Sequence, residues 1–310
     1  MTTSVPKIYS FDKFSEVSEA VADYVVYAQN NILLKGSSER KMSSSSINGT
    51  DKGKELQRSV SAKSLSGSSR DSLKKPTKEM RFKIALSGGS LINVLHQGLL
   101  ARDDVQWGKW DIYFADERLV QFESEHSNYG SAKRKIFDNI DTEKYGRPNI
   151  YHIDELLIDN PQDCADAYEK LLIRGFAGRD SVKLPMFDLF LLGCAPDGHI
   201  ASLFPYFQET LRENMAWVVP VEGAPMGPAK RISLTIPVIC HSHRVAFVVE
   251  GATKAPVIKT IIERPEKGLP SSIVNEYAAG RVSWFVDDDA LSEVQVTKKD
   301  YKFRSENLNT

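Results

Sequence analysis

The sequence predicts an α/β protein built on a mainly parallel sheet with helices on both faces. Strand-like and helix-like stretches alternate along most of the chain, the pattern of linked βαβ units. The strands are apolar almost end to end, as in Phe187-Asp188-Leu189-Phe190-Leu191-Leu192-Gly193, which marks strands covered on both faces rather than one. One Ser-, Gly- and Lys-rich stretch, 35–80, interrupts this pattern without dividing it, so the rest reads as a single domain.

The first element is a helix in which Val17, Ala20, Val21, Tyr24, Val25 and Ala28 recur at helical spacing. The 35–80 stretch follows. It nearly lacks aromatic and β-branched residues and buries too little apolar surface to offset its ordering entropy, so it is expected to be a disordered, locally basic insert. Loop-closure entropy grows slowly with length, which makes an insert between a helix and a strand tolerable. A strand at 81–86 runs into a Ser-Gly-Gly turn and a helix at 91–100, and a strand at 111–115 follows. Helices near 130–140 and 161–173 precede the apolar 187–193 strand. Strands at 231–236, 244–250 and 282–286, with a helix near 255–262, complete the pattern. The predicted plan is a first helical part (1–34), the insert (35–80), the remainder of the domain (81–295) and a tail (296–310).

The 310 residues carry a net charge of -1, with 41% hydrophobic and 26% charged residues, an ordinary globular balance. Near-neutrality argues against wholesale nucleic-acid binding outside the insert. The three cysteines match no zinc or redox spacing and read as small buried hydrophobes. The start of the chain has no apolar signal core, and no run approaches a membrane span. The expected location is the cytoplasm, with access to the nucleus.

In open parallel sheets ligands bind beyond the carboxyl ends of the strands, so motifs there carry most weight. Ser87-Gly88-Gly89-Ser90 lies between strand and helix; it reads as a phosphate cradle or as a tight turn with Ser90 as N-cap. Asp116-Glu117-Arg118 follows the 111–115 strand, with Asn128 nearby; taken alone it reads as a solvated loop with a local ion pair. Asp197 and His199 sit two residues apart at the end of the most apolar strand. There a histidine can act as a base near neutral pH and a carboxylate can orient its ring. Arg231 and Lys254, each at the edge of a predicted strand, are candidate phosphate partners or plain surface cations.

Taken in order, the fragments SGGS, DERLV, SNYG, LLGCAPDGHIASLFP, RISLTIPV and GATKAPVI resemble the 6-phosphogluconolactonases across nearly the whole chain outside the insert. The resemblance implies a modified Rossmann-like sheet and hydrolysis of 6-phospho-D-glucono-1,5-lactone without cofactor or metal. It also implies roles. His199 would activate water beside Asp197, and Arg118 would hold substrate or the developing oxyanion with Asp116 positioning it. Ser87, Gly88, Gly89, Ser90, Asn128, Arg231 and Lys254 would surround the phosphate. Three features depart from that pattern: the 223–230 segment, where a proline-rich stretch is usual before the Arg; Ala195, where the family usually has glycine; and the insert. In the insert and Ala195 together the chain resembles the longer Sol proteins of yeast. That likeness implies an alternative, a weak or inactive lactonase-like protein with a tRNA-distribution role, linked to tRNA or a transport factor through the basic insert.

Overall fold

The computed structural model describes residues 6–45, 79–176 and 184–302, and for 35–45 the backbone alone. What was expected of residues 46–78, and of the tail beyond 302, lies outside the described residues. The chain runs β1 (Lys7–Phe11), α1 (Phe14–Ser45), β2 (Phe82–Leu86), α2 (Ser90–Leu99), β3 (Trp110–Phe114), β4 (Asp116–Arg118), α3 (Asn128–Lys135), α4 (Thr142–Tyr145), β5 (Asn149–Tyr151) and α5 (Pro161–Phe176). It continues through β6 (Leu189–Leu192), α6 (Gln208–Arg212), β7 (Val218–Val221), β8 (Arg231–Leu234), α7 (Ile236–Cys240), β9 (Val245–Val249), α8 (Ala255–Glu263), α9 (Pro270–Tyr277) and β10 (Val282–Asp287). No helix among the described residues is long and apolar enough to cross a membrane.

Seven strands form one sheet in the order β1-β10-β9-β6-β2-β3-β5, every neighbouring pair parallel. Its two faces explain the continuous apolar runs. Ile84, Leu86, Ile112, Leu189, Leu191 and Phe285 face α1 and α2, packing on Val17, Val21, Val25, Leu91 and Leu95. The intervening Ala85, Tyr113, Phe190, Leu192, Phe247 and Trp284 belong to the opposite core with α5, α8 and α9. Each large side chain buried in this way contributes on the order of 1.5–3 kcal/mol.

Three differences from the sequence reading have physical reasons. The helix α1 continues to Ser45, into the stretch assigned to the insert, because a helix once nucleated on its buried face propagates at one hydrogen bond per residue fixed. The expected 130–140 helix ends at Lys135, where the chain tightens into a 3₁₀ turn. The strand at 231–236 is not part of the parallel sheet. As β8 it forms a second, antiparallel sheet in the order β4-β8-β7, with Arg118 opposite Arg231. Pro220, which lacks an N–H, sits in the edge strand β7.

The two sheets join at Ala115. Its N–H donates to Leu86 O in the main sheet (2.8 Å), and its carbonyl accepts Leu234 N–H from the small one (2.8 Å). The small sheet thus stands over the carboxyl ends of β2 and β3.

Candidate active site

At the carboxyl ends of β2, β3, β6 and β9 lies a cavity of about 170 Å³. Eight residues singled out in the sequence line it: Ser87, Gly88, Gly89, Ser90, Asp116, Arg118, His199 and Lys254. Asp197, Asn128 and Arg231 do not line it and stand behind those that do.

The Ser87–Ser90 turn is held at one end by Ser87 N–H donating to Leu191 O (2.9 Å), which ties it to β6. Gly89, at φ 71°, occupies the N-cap of α2, so Ser90 is the first helical residue rather than the cap. Gly88 is required for another reason: a Cβ there would lie 1.8 Å from Asn128 Oδ1. The turn that opens α2 thus lines the cavity, and a helix N-terminus there favours an anion.

His199 is partly buried, its ring against Phe204 with centroids 4.5 Å apart. Its Nδ1 lies 2.7 Å from Asp197 Oδ1, and the same oxygen accepts the His199 backbone N–H at 3.1 Å. Burial works against ionising Asp197, but these contacts with His199 prevail and hold its carboxyl below the ordinary range. With Nδ1 engaged, Nε2 is the ring nitrogen left for chemistry.

Asp116 is buried and held from two sides. Ser202 Oγ donates to its Oδ2 (2.7 Å), and Asn128 Nδ2 donates to its carbonyl (2.9 Å) and to Oδ1 (3.2 Å). Arg118 Nε stands 3.8 Å from Asp116 Oδ2, and Nη1 donates to His126 O (3.0 Å). The buried Nε has no hydrogen-bond partner, which leaves a guanidinium donor beside the cavity. The sequence reading of Glu117 as one more loop charge is corrected here. Its buried carboxylate accepts backbone N–H bonds from Arg118 (2.8 Å), Asn128 (2.7 Å) and Tyr129 (2.7 Å), fixing the Asp116–Arg118 strand to the start of α3. Burial pushes its carboxyl up to about 7 against the pull of those donors.

Arg231 departs from its expected place around a phosphate. Its guanidinium is buried over the Phe204 ring (5.4 Å) and donates to Pro228 O (3.0 Å), Met226 O and Ser202 Oγ (3.5 Å). The β4–β8 register sets it opposite Arg118, and burial followed by that neighbouring charge lowers its pKa. It braces the 226–228 loop and Ser202, and so acts on the site through Asp116.

Glu250 was missed. It immediately follows β9, lines the cavity and hydrogen-bonds Ser90; burial raises its carboxyl pKa, partly offset by Ser90 and by Lys254. The signal was available, since a charged residue closing a wholly apolar strand lies where the strand-end rule directs attention. Ala195 also lines the cavity. Its φ is not in the left-handed region, which among the described non-glycine residues holds only Ala201 (φ 47°). Backbone strain at Ala195 is therefore excluded, and clearance for a ligand is the remaining question.

Fold and site together define a class: an α/β protein with a carboxylate-held histidine and a glycine turn sharing one small cleft at the strand ends. The chain belongs to the glucosamine-6-phosphate isomerase/6-phosphogluconolactonase family, whose sequence model matches residues 54–284. It is 72% identical to 6-phosphogluconolactonase-like protein 1 of Saccharomyces cerevisiae, over 98% of each chain. It is 45% identical to a probable 6-phosphogluconolactonase of Schizosaccharomyces pombe, over 69% of this chain and 84% of that one. A solved structure, the 6-phosphogluconolactonase of Trypanosoma cruzi, shares the fold, with a TM-score of 0.66 at 23% identity over 95% of this chain and 99% of its own.

Proposed function

We propose that this chain hydrolyses 6-phospho-D-glucono-1,5-lactone to 6-phosphogluconate. The observation that carries the reading is the shared cavity: His199, oriented through Nδ1 by Asp197, faces the same space as Lys254 and the Ser87–Ser90 turn. In this reading the turn and Lys254 bind the phosphate, and that remote binding orients the ring carbonyl. His199 Nε2 takes a proton as water adds to C1. The oxyanion formed there is met by the Arg118 guanidinium, which Asp116 holds in place. The C1–ring-oxygen bond then breaks, and the imidazolium returns its proton to the ring oxygen, so that one water is consumed. Asn128 and Arg231 are positioning residues for Asp116. Purified chain is expected to accelerate loss of freshly prepared lactone, with His199→Ala slower by about 10²–10⁴-fold. A wild-type rate no faster than buffer overturns the reading.

A second reading, a lactonase-like protein with little turnover, is favoured by one observation, the presence of Ala195 in the cavity wall. Its expected outcome is an inactive wild type and an active Ala195→Gly variant. With it goes the tRNA-distribution role and nuclear residence implied for insert-bearing members. There, deletion of residues 46–78 is expected to abolish salt-sensitive tRNA binding, and equal binding by the deleted chain excludes the role.

A further inference from the structure

At the opposite end of the sheet lies a larger cavity, about 500 Å³, that the proposed reaction does not use. Three neighbouring strands each bring a cation to it: Lys7 opens β1, Arg281 immediately precedes β10, and Arg244 immediately precedes β9. Their backbones are locked in the ladder. Lys7 pairs with Ser283, Val245 N–H donates to Arg281 O (3.1 Å), and Phe190 N–H donates to Arg244 O (2.9 Å). Adjacent strands lie ~4.8 Å apart, so three positive charges are gathered within about 10 Å on rigid supports.

Among the described residues no Asp or Glu lines this cavity, and none of the three cations forms an ion pair. The acid that acts on Arg244 from a distance is Asp188, which is buried and already accepts Lys83 N–H (2.7 Å). Grouping like charges without a carboxylate is costly unless an anion joins them. The roof is α1, which presents Tyr24, Tyr27 and Asn31, spaced to fall on one helix face. Tyr27 is 42% exposed, with the Arg244 guanidinium 5.6 Å from its ring centre.

We propose that this cavity binds a mononucleotide. Phosphate lies against Lys7 and Arg281, whose charged donors suit it. Tyr27 already packs on Tyr24 (ring centroids 6.4 Å) and on Arg244 (5.6 Å), so the base lies on the outer side of the Tyr27–Arg244 pair, where stacking on an aromatic or guanidinium plane tolerates any base. Asn31, whose Nδ2 donates to Tyr27 O (2.9 Å), offers Oδ1 as an acceptor to the edge of the ring. The volume falls in the range of small-molecule sites and exceeds that of the catalytic cavity, which suits a ligand larger than a single sugar phosphate. The two sites stand at opposite ends of β9, roughly 15 Å apart at ~3.3 Å per residue, so one ligand cannot fill both.

The test is calorimetric titration of the full chain with AMP and with ATP, using tripolyphosphate as a base-free control. One nucleotide per chain is expected, with affinity reduced at least about ten-fold in a Lys7→Ser/Arg281→Ser double variant and retained in Arg281→Lys. Tyr27→Ala is expected to weaken AMP and leave tripolyphosphate unchanged. Both cations are exposed, and matching melting curves establish that the double variant folds. No heat with millimolar AMP overturns the proposal. So does AMP binding lost in Lys254→Ala but kept in the double variant, which assigns the nucleotide to the catalytic cavity. Tripolyphosphate matching ATP, with Tyr27→Ala inert, reduces the site to a charge patch and likewise overturns it.

Discussion

Replacing Asp197 by Asn removes one charge from the proposed catalytic pair and little else. Asparagine is nearly isosteric, and its Oδ1 can accept from His199 Nδ1 and from the His199 backbone N–H as the carboxylate does at 2.7 and 3.1 Å. What disappears is the stabilisation of the imidazolium formed when water gives up its proton. Two unit charges about 4 Å apart interact by ~4 kcal/mol at an effective dielectric of ~20. The side chains here are 15% and 36% exposed, so solvent reduces the interaction. A discounted value of about 1.5–2.5 kcal/mol corresponds to roughly a ten- to seventy-fold loss of kcat. KM is expected to stay near wild type, because neither residue is assigned to the phosphate. The assay follows freshly generated lactone at neutral pH, with product detected through oxidation of 6-phosphogluconate by a coupled dehydrogenase. Wild-type kcat in Asp197→Asn refutes the electrostatic role. A loss as large as that of His199→Ala refutes the claim that charge alone is lost, and assigns Asp197 to holding the turn.

Lys254→Ala is expected to raise KM for the lactone by about ten- to a hundred-fold with a smaller change in kcat, since a charge-assisted contact to phosphate is lost; an unchanged KM removes Lys254 from the phosphate site. Gly88→Ala forces Asn128 away, because the added Cβ meets its Oδ1 at 1.8 Å. Losing the Asn128–Asp116 bonds is expected to cost about 2–3 kcal/mol in urea unfolding and to lower kcat as Asp116 loosens. Glu117→Gln leaves one acceptor oxygen for three backbone donors, a cost of about 2–3 kcal/mol. The pH dependence of that cost has a definite sign. Folding raises the Glu117 pKa from 4.5 to about 7, so the folded chain holds more protons between those values and this contribution to stability falls as pH rises through them. The glutamine chain lacks that slope, so the stability gap between wild type and variant is expected to narrow between pH 4.5 and about 7, measured by urea midpoints.

Elements long enough to show periodicity or an apolar run were legible in the sequence: α1, α2, α5, α8 and strands β2, β3, β6, β9 and β10. The strands β4, β5 and β7, of three or four residues, carry no readable period and are made by their partners. β1 was missed because Lys7-Ile8-Tyr9-Ser10-Phe11 mixes polar and apolar residues, and its place is set by pairing with β10 at the other end of the chain. The site divides along the same line. His199, Lys254 and the Ser87–Ser90 turn are local features at strand ends, and the strand-end rule finds them. Arg231 looks like a phosphate ligand in sequence, but its direction depends on pairing with β4 more than a hundred residues earlier, which turns it onto Pro228 and Ser202. Glu117 was misjudged for a related reason: the amides that hold it belong to another element.

Departures from local rules collect around this cavity. Glu117 is a buried carboxylate, Arg118 Nε is a buried donor without a partner, and Ala201 is the one described non-glycine residue in the left-handed region. A left-handed alanine costs about 1–2 kcal/mol, so its surroundings must insist on it. They do: Leu203 N–H closes onto Ile200 O (2.8 Å), Ser202 N–H onto Ser233 Oγ (3.3 Å), and Ser202 Oγ onto Asp116 (2.7 Å). The reversal at Ala201 lets His199 line the cavity while Ser202, three residues on, turns back to hold Asp116 and Arg231 from behind. An extended chain would instead set those two residues about 10 Å apart along its axis and separate one of them from its partners. The strain at Ala201 and the convergence of base and guanidinium on one space are thus two consequences of a single turn.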